Sequence, residues 1–248
     1  MIDQPFLFLG MSALTEQIIE ALKDKAIPEK AAFFPRFFKS GPGEYGEGDQ
    51  FLGVKVPDQR KVAKQFFKEI RLDELSELLK SPLHEVRLTS LIALVYRYQK
   101  TKKEEERKEL VDFYLAHLPY VNNWDLVDTS CHAILGAYYL DKEKGLFYDL
   151  AEKDHLWSQR IAMVSSYYWI KRGEFADALA LAEKLKDHPH DLMHKAVGWM
   201  LREIGNQDFE AEFEFLKNHY HSLPRTALRY AIEKFPEDLR QDFLKGNI

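Results

Sequence analysis

Five segments of this chain share an apolar, helix-periodic pattern, and one of them differs from the others at a matching position. Four carry a base there and the fifth an acid, and these residues are Arg87, Asp128, Arg160, Lys195 and Arg225. Their successive spacings are 41, 32, 35 and 30 residues. Periods of roughly 30 to 45 residues are typical of two-helix repeats that stack into solenoids, in which matching positions line one face. The pattern predicts a row of cations interrupted by one carboxylate, which suits a groove that holds a polyanion.

Helical periodicity dominates the chain, and strand-like alternation is nearly absent. Leu88, Leu91 and Ile92 recur at the i, i+3, i+4 spacing of an amphipathic helix. Turn-forming dipeptides separate such stretches at Ser81-Pro82, Leu118-Pro119, Lys144-Gly145, Arg172-Gly173, His188-Pro189, Leu223-Pro224 and Phe235-Pro236. We predict an all-α fold of roughly ten to thirteen helices, a right-handed α-solenoid of HEAT-like helical pairs with a concave groove. Residues 1–248 would form a single repeat domain.

Composition places the protein among globular chains that can build a core. Of its 248 residues, 46% are apolar and 30% charged. The single cysteine, Cys131, cannot form an internal disulfide, which favours a reducing compartment. The apolar run at residues 6–9 is too short for a signal core, and no stretch approaches a membrane span. We therefore expect a cytoplasmic protein.

The net charge of −5 argues mildly against nucleic-acid binding, but such binding needs only a local basic face. Residues 51–100 hold ten Lys/Arg against six Asp/Glu. The densest group consists of Lys55, Arg60, Lys61, Lys64 and Lys68. Two interpretations remain open for it, a solvated helix face and a surface that contacts phosphates.

The segment 40–49 interrupts the helical pattern with four glycines, one proline and three acids. It lacks the Lys-Ser/Thr ending of a phosphate-binding loop, and its acids would repel a phosphate. Long loops in compact arrays are often functional, although a flexible surface hairpin is the alternative. Because glycines and acids bury little, we expect a mobile segment near one groove edge that is dispensable for folding.

Trp124 and Asp128 lie four residues apart and therefore share one helix face. An indole beside a carboxylate suits a planar or cationic substrate, whereas the structural alternative is a core tryptophan beside a helix-capping acid. Asp125 is better explained as an acid of the first helical turn. Gly198, which precedes Trp199, is costly inside a helix and predicts that another part of the chain approaches closely there.

Other chemistries find no support in the sequence. The nine histidines include no His-Glu-x-x-His zinc motif, and Cys131 has no cysteine partner. No Gly-x-Ser-x-Gly elbow occurs. The Gly-x-Gly-x-x-Gly spacing at 41–46 follows no strand-like alternation, which a dinucleotide-binding unit requires. We predict no metal and no cofactor.

Four motifs, read together and in order, resemble the AlkD-like DNA alkylation repair family of HEAT-like DNA glycosylases. They are FLGVKVPDQRK at 51–61, WDLVD at 124–128, WSQR at 157–160 and KAVGWMLRE at 195–203. The resemblance covers nearly the whole chain. It implies excision of cationic N3- and N7-alkylated purines from duplex DNA by a monomer, without metal or cofactor.

The resemblance also implies roles for particular residues. Asp128 would be the catalytic carboxylate, Trp124 and Trp199 the aromatic partners around the deoxyribose, and Arg160 the phosphate-side cation. Further DNA contacts are predicted for other basic residues, namely Arg87 from its matching repeat position and Lys55, Arg60, Lys195 and Arg202 from the motif segments.

Two positions depart from the family pattern. Asn123 stands where an aromatic residue often precedes the tryptophan, and Phe37 stands where a tyrosine is expected. Two alternatives to a glycosylase therefore stay open. One is a non-catalytic HEAT-like module that binds bent, branched or damaged DNA through a basic groove. The other is a protein–protein scaffold, for which an acidic net charge would be natural.

Overall fold

The computed structural model of the protein describes residues 12–248, so the apolar run at 6–9 lies outside the described residues. The chain forms two compact units, Met1–Leu126 and Val127–Ile248. The prediction that residues 1–248 form one repeat domain stays a prediction.

The described part of the first unit is built around one long buried helix. Its helices are α1 (Ala13–Lys23), α2 (Pro28–Phe37), α3 (Val56–Phe66), α4 (Leu72–Leu79), α5 (His84–Lys100) and α6 (Glu104–Ala116). Helix α5 packs against α1, α3, α4 and α6, and every residue from His84 to Val95 is buried. A helix that is buried on all sides forms the centre of a domain, so α5 supplies the core of this unit.

The second unit alternates central and flanking helices. Helix α7 (Trp124–Cys131) crosses the boundary between the units and continues as a π-helical turn, His132–Gly136. The helices that follow are α8 (Gly145–Glu152), α9 (Leu156–Ser165), α10 (Tyr167–Ile170), α11 (Ala176–Leu185), α12 (Asp191–Gly205), α13 (Phe209–His219), α14 (Arg225–Ala231) and α15 (Glu237–Lys245). Helix α12 contacts α9, α11, α13 and α14. Such packing of each helix pair on its neighbours is typical of a stacked helical array.

Two glycines show the repeat in atomic detail. A Cβ atom on Gly198 would lie 2.6 Å from Tyr230 Cβ and would also meet the Ala227 carbonyl. A Cβ atom on Gly136 would lie 2.9 Å from Tyr168 Cβ and would meet the carbonyl of Ser165. Gly198, Ala227 and Tyr230 lie 62 residues after Gly136, Ser165 and Tyr168, respectively. The close approach predicted at Gly198 is therefore confirmed, and it recurs two repeats apart.

The predicted fold class is confirmed, because the described residues are helical and consistent with an α-solenoid. Across residues 12–248 the only β-type pairing is an isolated bridge between Gln50 and Leu83. The same range holds fifteen α-helical segments, more than predicted, because some apolar stretches are broken. Ser166, for example, separates α9 from α10 and donates its hydroxyl hydrogen to the Met163 carbonyl at 2.6 Å. None of these helices has the length and apolar character that crossing a bilayer requires.

Candidate functional site

A buried network of charged residues in the first unit links the 40–49 segment to the starts of α5 and α7. His84 places Nδ1 at 2.8 Å from Asp49 Oδ2 and Nε2 at 2.8 Å from Asp125 Oδ2. Arg87 Nη2 donates to Asp49 Oδ1 at 2.7 Å and to Asn122 Oδ1 at 3.3 Å. Asp125, which was expected only to favour the helix dipole, is thus also an acceptor for His84.

The two carboxylates determine the charge on His84. Burial by itself would lower the pKa of this imidazole, but the charge of Asp125 and hydrogen bonds with Asp125 and Asp49 raise the pKa to about 9. Burial would likewise raise the pKa of Asp49, yet hydrogen bonding to His84 and the charge of Arg87 hold it below its usual value. At neutral pH His84 is therefore an imidazolium that donates from both ring nitrogens.

The expectation that the 40–49 segment buries little is wrong at its C-terminal end. The Asp49 side chain is 5% exposed and is paired with both His84 and Arg87. Gly46 is also buried, and its N–H donates to the Lys39 carbonyl at 2.9 Å. Residues before Gly46 in the segment, such as Gly43 and Glu44, are exposed. Thus only the tip of the segment fits the predicted surface loop.

This network predicts how stability depends on pH. Because the folded pKa of His84 lies near 9 and its ordinary value is 6.5, protonated His84 stabilises the fold fully below pH 6.5. That contribution is lost as pH rises through 9. We expect Tm to fall between pH 6.5 and 9, and to fall less in His84→Gln, when followed by scanning calorimetry. Parallel Tm profiles for the two proteins would contradict this assignment.

Trp124 lies against an aromatic cluster in the first unit. Its ring stacks on Phe38 at a centroid distance of 5.6 Å and meets Phe37 edge-on at 5.8 Å. Phe38 in turn stacks on Phe51 at 5.3 Å. Asn123 is fully buried, and its side-chain Oδ1 accepts the backbone N–H of Trp124 at 2.8 Å. Both departures from the family pattern, Asn123 and Phe37, therefore contact the half-buried tryptophan.

Asp128 forms a two-pronged ion pair with Arg160 in the second unit. Arg160 Nε donates to Asp128 Oδ1 at 2.9 Å, and Nη2 donates to Oδ2 at 2.8 Å. The third nitrogen of the guanidinium, Nη1, donates to the Leu192 carbonyl at 2.5 Å. Arg160 is 4% exposed, whereas 19% of the Asp128 side chain is exposed. A forked pair of this kind fixes the carboxylate in one orientation.

Trp199 is oriented by neighbours that the sequence analysis did not single out. Its Nε1–H donates to Glu203 Oε1 at 3.2 Å, and Lys171 Nζ lies 2.6 Å from Glu203 Oε2. Lys171 also lies over the Tyr167 ring at 5.4 Å, and Tyr167 contacts Trp199 at a centroid distance of 5.7 Å. Although burial opposes it, the Lys171 ammonium holds the pKa of Glu203 below its usual range. Glu203 lies one turn after Trp199, a spacing that could have revealed it.

Comparison with known proteins identifies the family. A model of the family described as DNA alkylation repair enzyme matches residues 18–235. The chain belongs to this family. A solved structure titled "Predicted DNA alkylation repair enzyme from Enterococcus faecalis" is similar in fold, with a TM-score of 0.67 and 18% identity over 86% of this chain and 98% of that chain. No curated protein matches the sequence significantly.

Membership of the DNA alkylation repair family makes the environment of the predicted cations important. Lys195 Nζ lies 2.6 Å from Asp191 Oδ2, and Arg202 is paired with Glu233. Lys55 is exposed. Arg60 is also exposed, whereas Arg87 and Arg160 are buried in ion pairs. The DNA contacts proposed for these residues stay predictions.

Metal chemistry was not predicted for this chain, and the described residues offer no obvious ligand set. Between residues 12 and 248, no three His, Cys, Asp or Glu side chains converge as a group that could hold a metal ion. Cys131 is fully buried, and burial strongly raises the pKa of its thiol. A thiol in that state is a weak nucleophile and a poor metal ligand.

Proposed function

We propose that this protein is a DNA glycosylase that excises cationic N3- and N7-alkylated purines from duplex DNA. Membership of the DNA alkylation repair family supports a role in the repair of alkylation damage. One observation supports base excision in particular. Arg160 holds the Asp128 carboxylate in one orientation, while part of that carboxylate stays accessible to solvent. Duplex DNA is the partner, and the acting species is a monomer.

The chemistry of the lesion explains why one carboxylate suffices. A purine alkylated at N3 or N7 carries a positive charge, so its glycosidic bond is weak and it leaves as a neutral base without a general acid. The C1′–N bond breaks, its electron pair goes to the base, and the sugar develops oxocarbenium character. Water then adds to C1′ and loses a proton. A fixed carboxylate stabilises the sugar cation and can position or deprotonate the water, so neither a metal nor a cofactor is required.

Arg160 acts in this proposal mainly through Asp128. Two of its nitrogens hold the carboxylate and a third holds the Leu192 carbonyl, so the guanidinium is anchored in the fold. A preorganised group needs little rearrangement when charge develops in the transition state. Arg160 also remains the phosphate-side cation implied by the family resemblance, with its charge shared between Asp128 and the DNA.

The family resemblance implies that Trp124 and Trp199 are the aromatic partners around the deoxyribose, and indole faces can stabilise a developing positive charge by cation–π attraction. Trp124→Ala is expected to slow excision, but by less than loss of the Asp128 charge, because it removes packing and a quadrupole rather than a full charge. Single-turnover excision from alkylated duplex DNA measures the effect. Phe37→Ala is the matched control, because it removes an exposed ring that touches Trp124 and leaves the indole in place. A Phe37 variant as slow as Trp124→Ala would mean that cluster packing, rather than the indole, matters.

The deciding experiment is the release of methylated base from alkylated duplex DNA by the purified protein. Time-dependent release of 3-methyladenine or 7-methylguanine, with abasic sites appearing at the same rate, is the expected result. Sequence-independent, salt-sensitive DNA binding should accompany it, since phosphates supply most of the attraction. Tight binding without base release would instead identify a non-catalytic DNA-binding module, and absence of both would favour a protein scaffold.

A further inference from the structure

A basic cleft at the far end of α5 shares only Lys68 with the basic group noted in the sequence. It has a volume of about 410 Å³ and lies between the C-terminal ends of α3 and α5 and the start of α6. Its charged lining consists of Lys68, Arg97, Lys100, Lys102, Lys103 and Glu106. Five cations against one carboxylate make it strongly positive in a protein whose net charge is −5.

The cations of this cleft divide into structural and unpaired groups. Arg97 donates to the Ile70 carbonyl at 2.9 Å, and Lys103 is paired with Glu106 at 3.0 Å. Lys68, Lys100 and Lys102 are exposed, and no carboxylate of residues 12–248 forms an ion pair with any of them. Like charges held together repel one another. Three unpaired lysines around one concavity therefore indicate a site for an anion.

Helix α3 extends the positive surface beyond the cleft. Arg60 and Lys64 lie four residues apart, so they share one face of the helix, and Lys68 lies in the turn after it. All three are exposed, and the first two likewise have no ion-pair partner within the described residues. The unpaired cations thus continue from the cleft along α3. Such a spread suits a chain of phosphates better than one small anion, which two cations would already neutralise.

We propose that the Lys68–Lys100–Lys102 cleft and the adjoining face of α3 bind the phosphate backbone of duplex DNA. The DNA ligand follows from the proposed function, on which this inference rests. The cleft is a contact separate from the His84 network, since Arg97 and Lys100 lie roughly 20 Å or more along α5 from His84 at 1.5 Å per residue. Lysine ammonium groups are point charges that do not read base edges, so the contact adds affinity without sequence preference.

The experiment compares two triple variants with equal loss of charge. Lys68→Ala/Lys100→Ala/Lys102→Ala removes the unpaired cations of the cleft. The control, Lys80→Ala/Lys153→Ala/Lys245→Ala, removes three exposed lysines outside it that also lack carboxylate partners in residues 12–248. Affinity for an undamaged duplex is measured between low and physiological salt, together with single-turnover excision at saturating protein.

The cleft variant should bind DNA on the order of tenfold more weakly at low salt, and the slope of log K against log salt should fall by up to about 2.7, or 0.9 per phosphate contact. The control variant should change neither quantity appreciably. Excision at saturation should match the wild type in both. Equal affinities and equal slopes for the two variants would overturn the inference.

Two further outcomes separate this inference from the proposed function. If the wild type releases no methylated base but the cleft variant alone loses affinity and slope, the glycosylase proposal fails and the second DNA contact stands. Inorganic pyrophosphate serves as a probe for a small-anion site. If pyrophosphate raises the Tm of the wild type but not of the cleft variant, while DNA affinity is unchanged, the cleft takes a free anion and the DNA proposal is wrong.

Discussion

Replacing Asp128 with Asn is expected to slow excision of 3-methyladenine or 7-methylguanine by a factor on the order of a hundred or more. That is the usual effect of removing one preorganised electrostatic contact to a transition state. The substitution keeps the shape of the side chain and removes only its charge, which the oxocarbenium-like sugar requires. DNA affinity should persist or increase, because the substitution removes a negative charge from a phosphate-binding surface and leaves Arg160 less neutralised.

The ion pair with Arg160 makes a stability control necessary. Arg160 is 4% exposed, and removing the partner of a buried charge costs about 3–5 kcal/mol. Arg160→Met breaks the same ion pair from the other side and keeps the carboxylate. We expect both variants to have a lowered Tm, but Asp128→Asn to lose much more of the single-turnover rate. Assays are run well below the lower of the two Tm values, with circular dichroism confirming that each protein is folded.

The comparison of these variants isolates the role of the carboxylate. If folded Asp128→Asn excises as fast as the wild type, the proposed mechanism is refuted even if the protein is a glycosylase. If Arg160→Met loses as much rate as Asp128→Asn, then the orientation of the carboxylate matters as much as its charge. That result would strengthen the assignment of Arg160 as a residue that positions Asp128.

Much of the fold could be predicted because its signals are local. Helical periodicity located α5, and each proline or glycine dipeptide noted in the sequence falls between helices or at a helix start. The breaks inside apolar stretches were missed, since a serine between α9 and α10 carries no strong helix-ending signal. The π-helical turn at His132–Gly136 is likewise invisible to a pattern that assumes 3.6 residues per turn.

The contacts of the candidate site could be predicted from the sequence only in part. Matching repeat positions singled out Asp128 and Arg160, and equivalent positions on successive repeats are neighbours in a stacked array. The ion pair between them therefore follows from the pattern once their opposite charges are considered. The burial of the Asp49 side chain could not be predicted from the repeat pattern, because its partner His84 is 35 residues away. Nothing local distinguishes Asp49 from Glu44 or Glu47 in the same segment.

Asp49→Ala is accordingly the second substitution from which we expect a large effect, here on stability. It removes the acceptor for Arg87 and one of the two carboxylates that hold the His84 imidazolium. The side chains of all three residues are at most 5% exposed, so the remaining cations are left partly unpaired in the interior. The expected loss is about 3–5 kcal/mol of unfolding free energy. In a chain of this size that corresponds to a fall in Tm of roughly 10 °C.

Glu47→Ala is the matched control for Asp49→Ala, since it removes an acid from the same segment. Glu47 is exposed, and within residues 12–248 its side chain accepts only the Gly43 N–H, at 2.9 Å. Its loss should therefore change stability by no more than about 0.5 kcal/mol. Asp49→Asn, which retains an acceptor for Arg87 but no charge, should fall between the two and remain measurable if Asp49→Ala does not fold. Calorimetric Tm values for the three variants show whether the Asp49 side chain stabilises the fold. Should Asp49→Ala and Glu47→Ala unfold at the same temperature, the segment would be the dispensable loop that its composition predicts, and the buried network would contribute little to the fold.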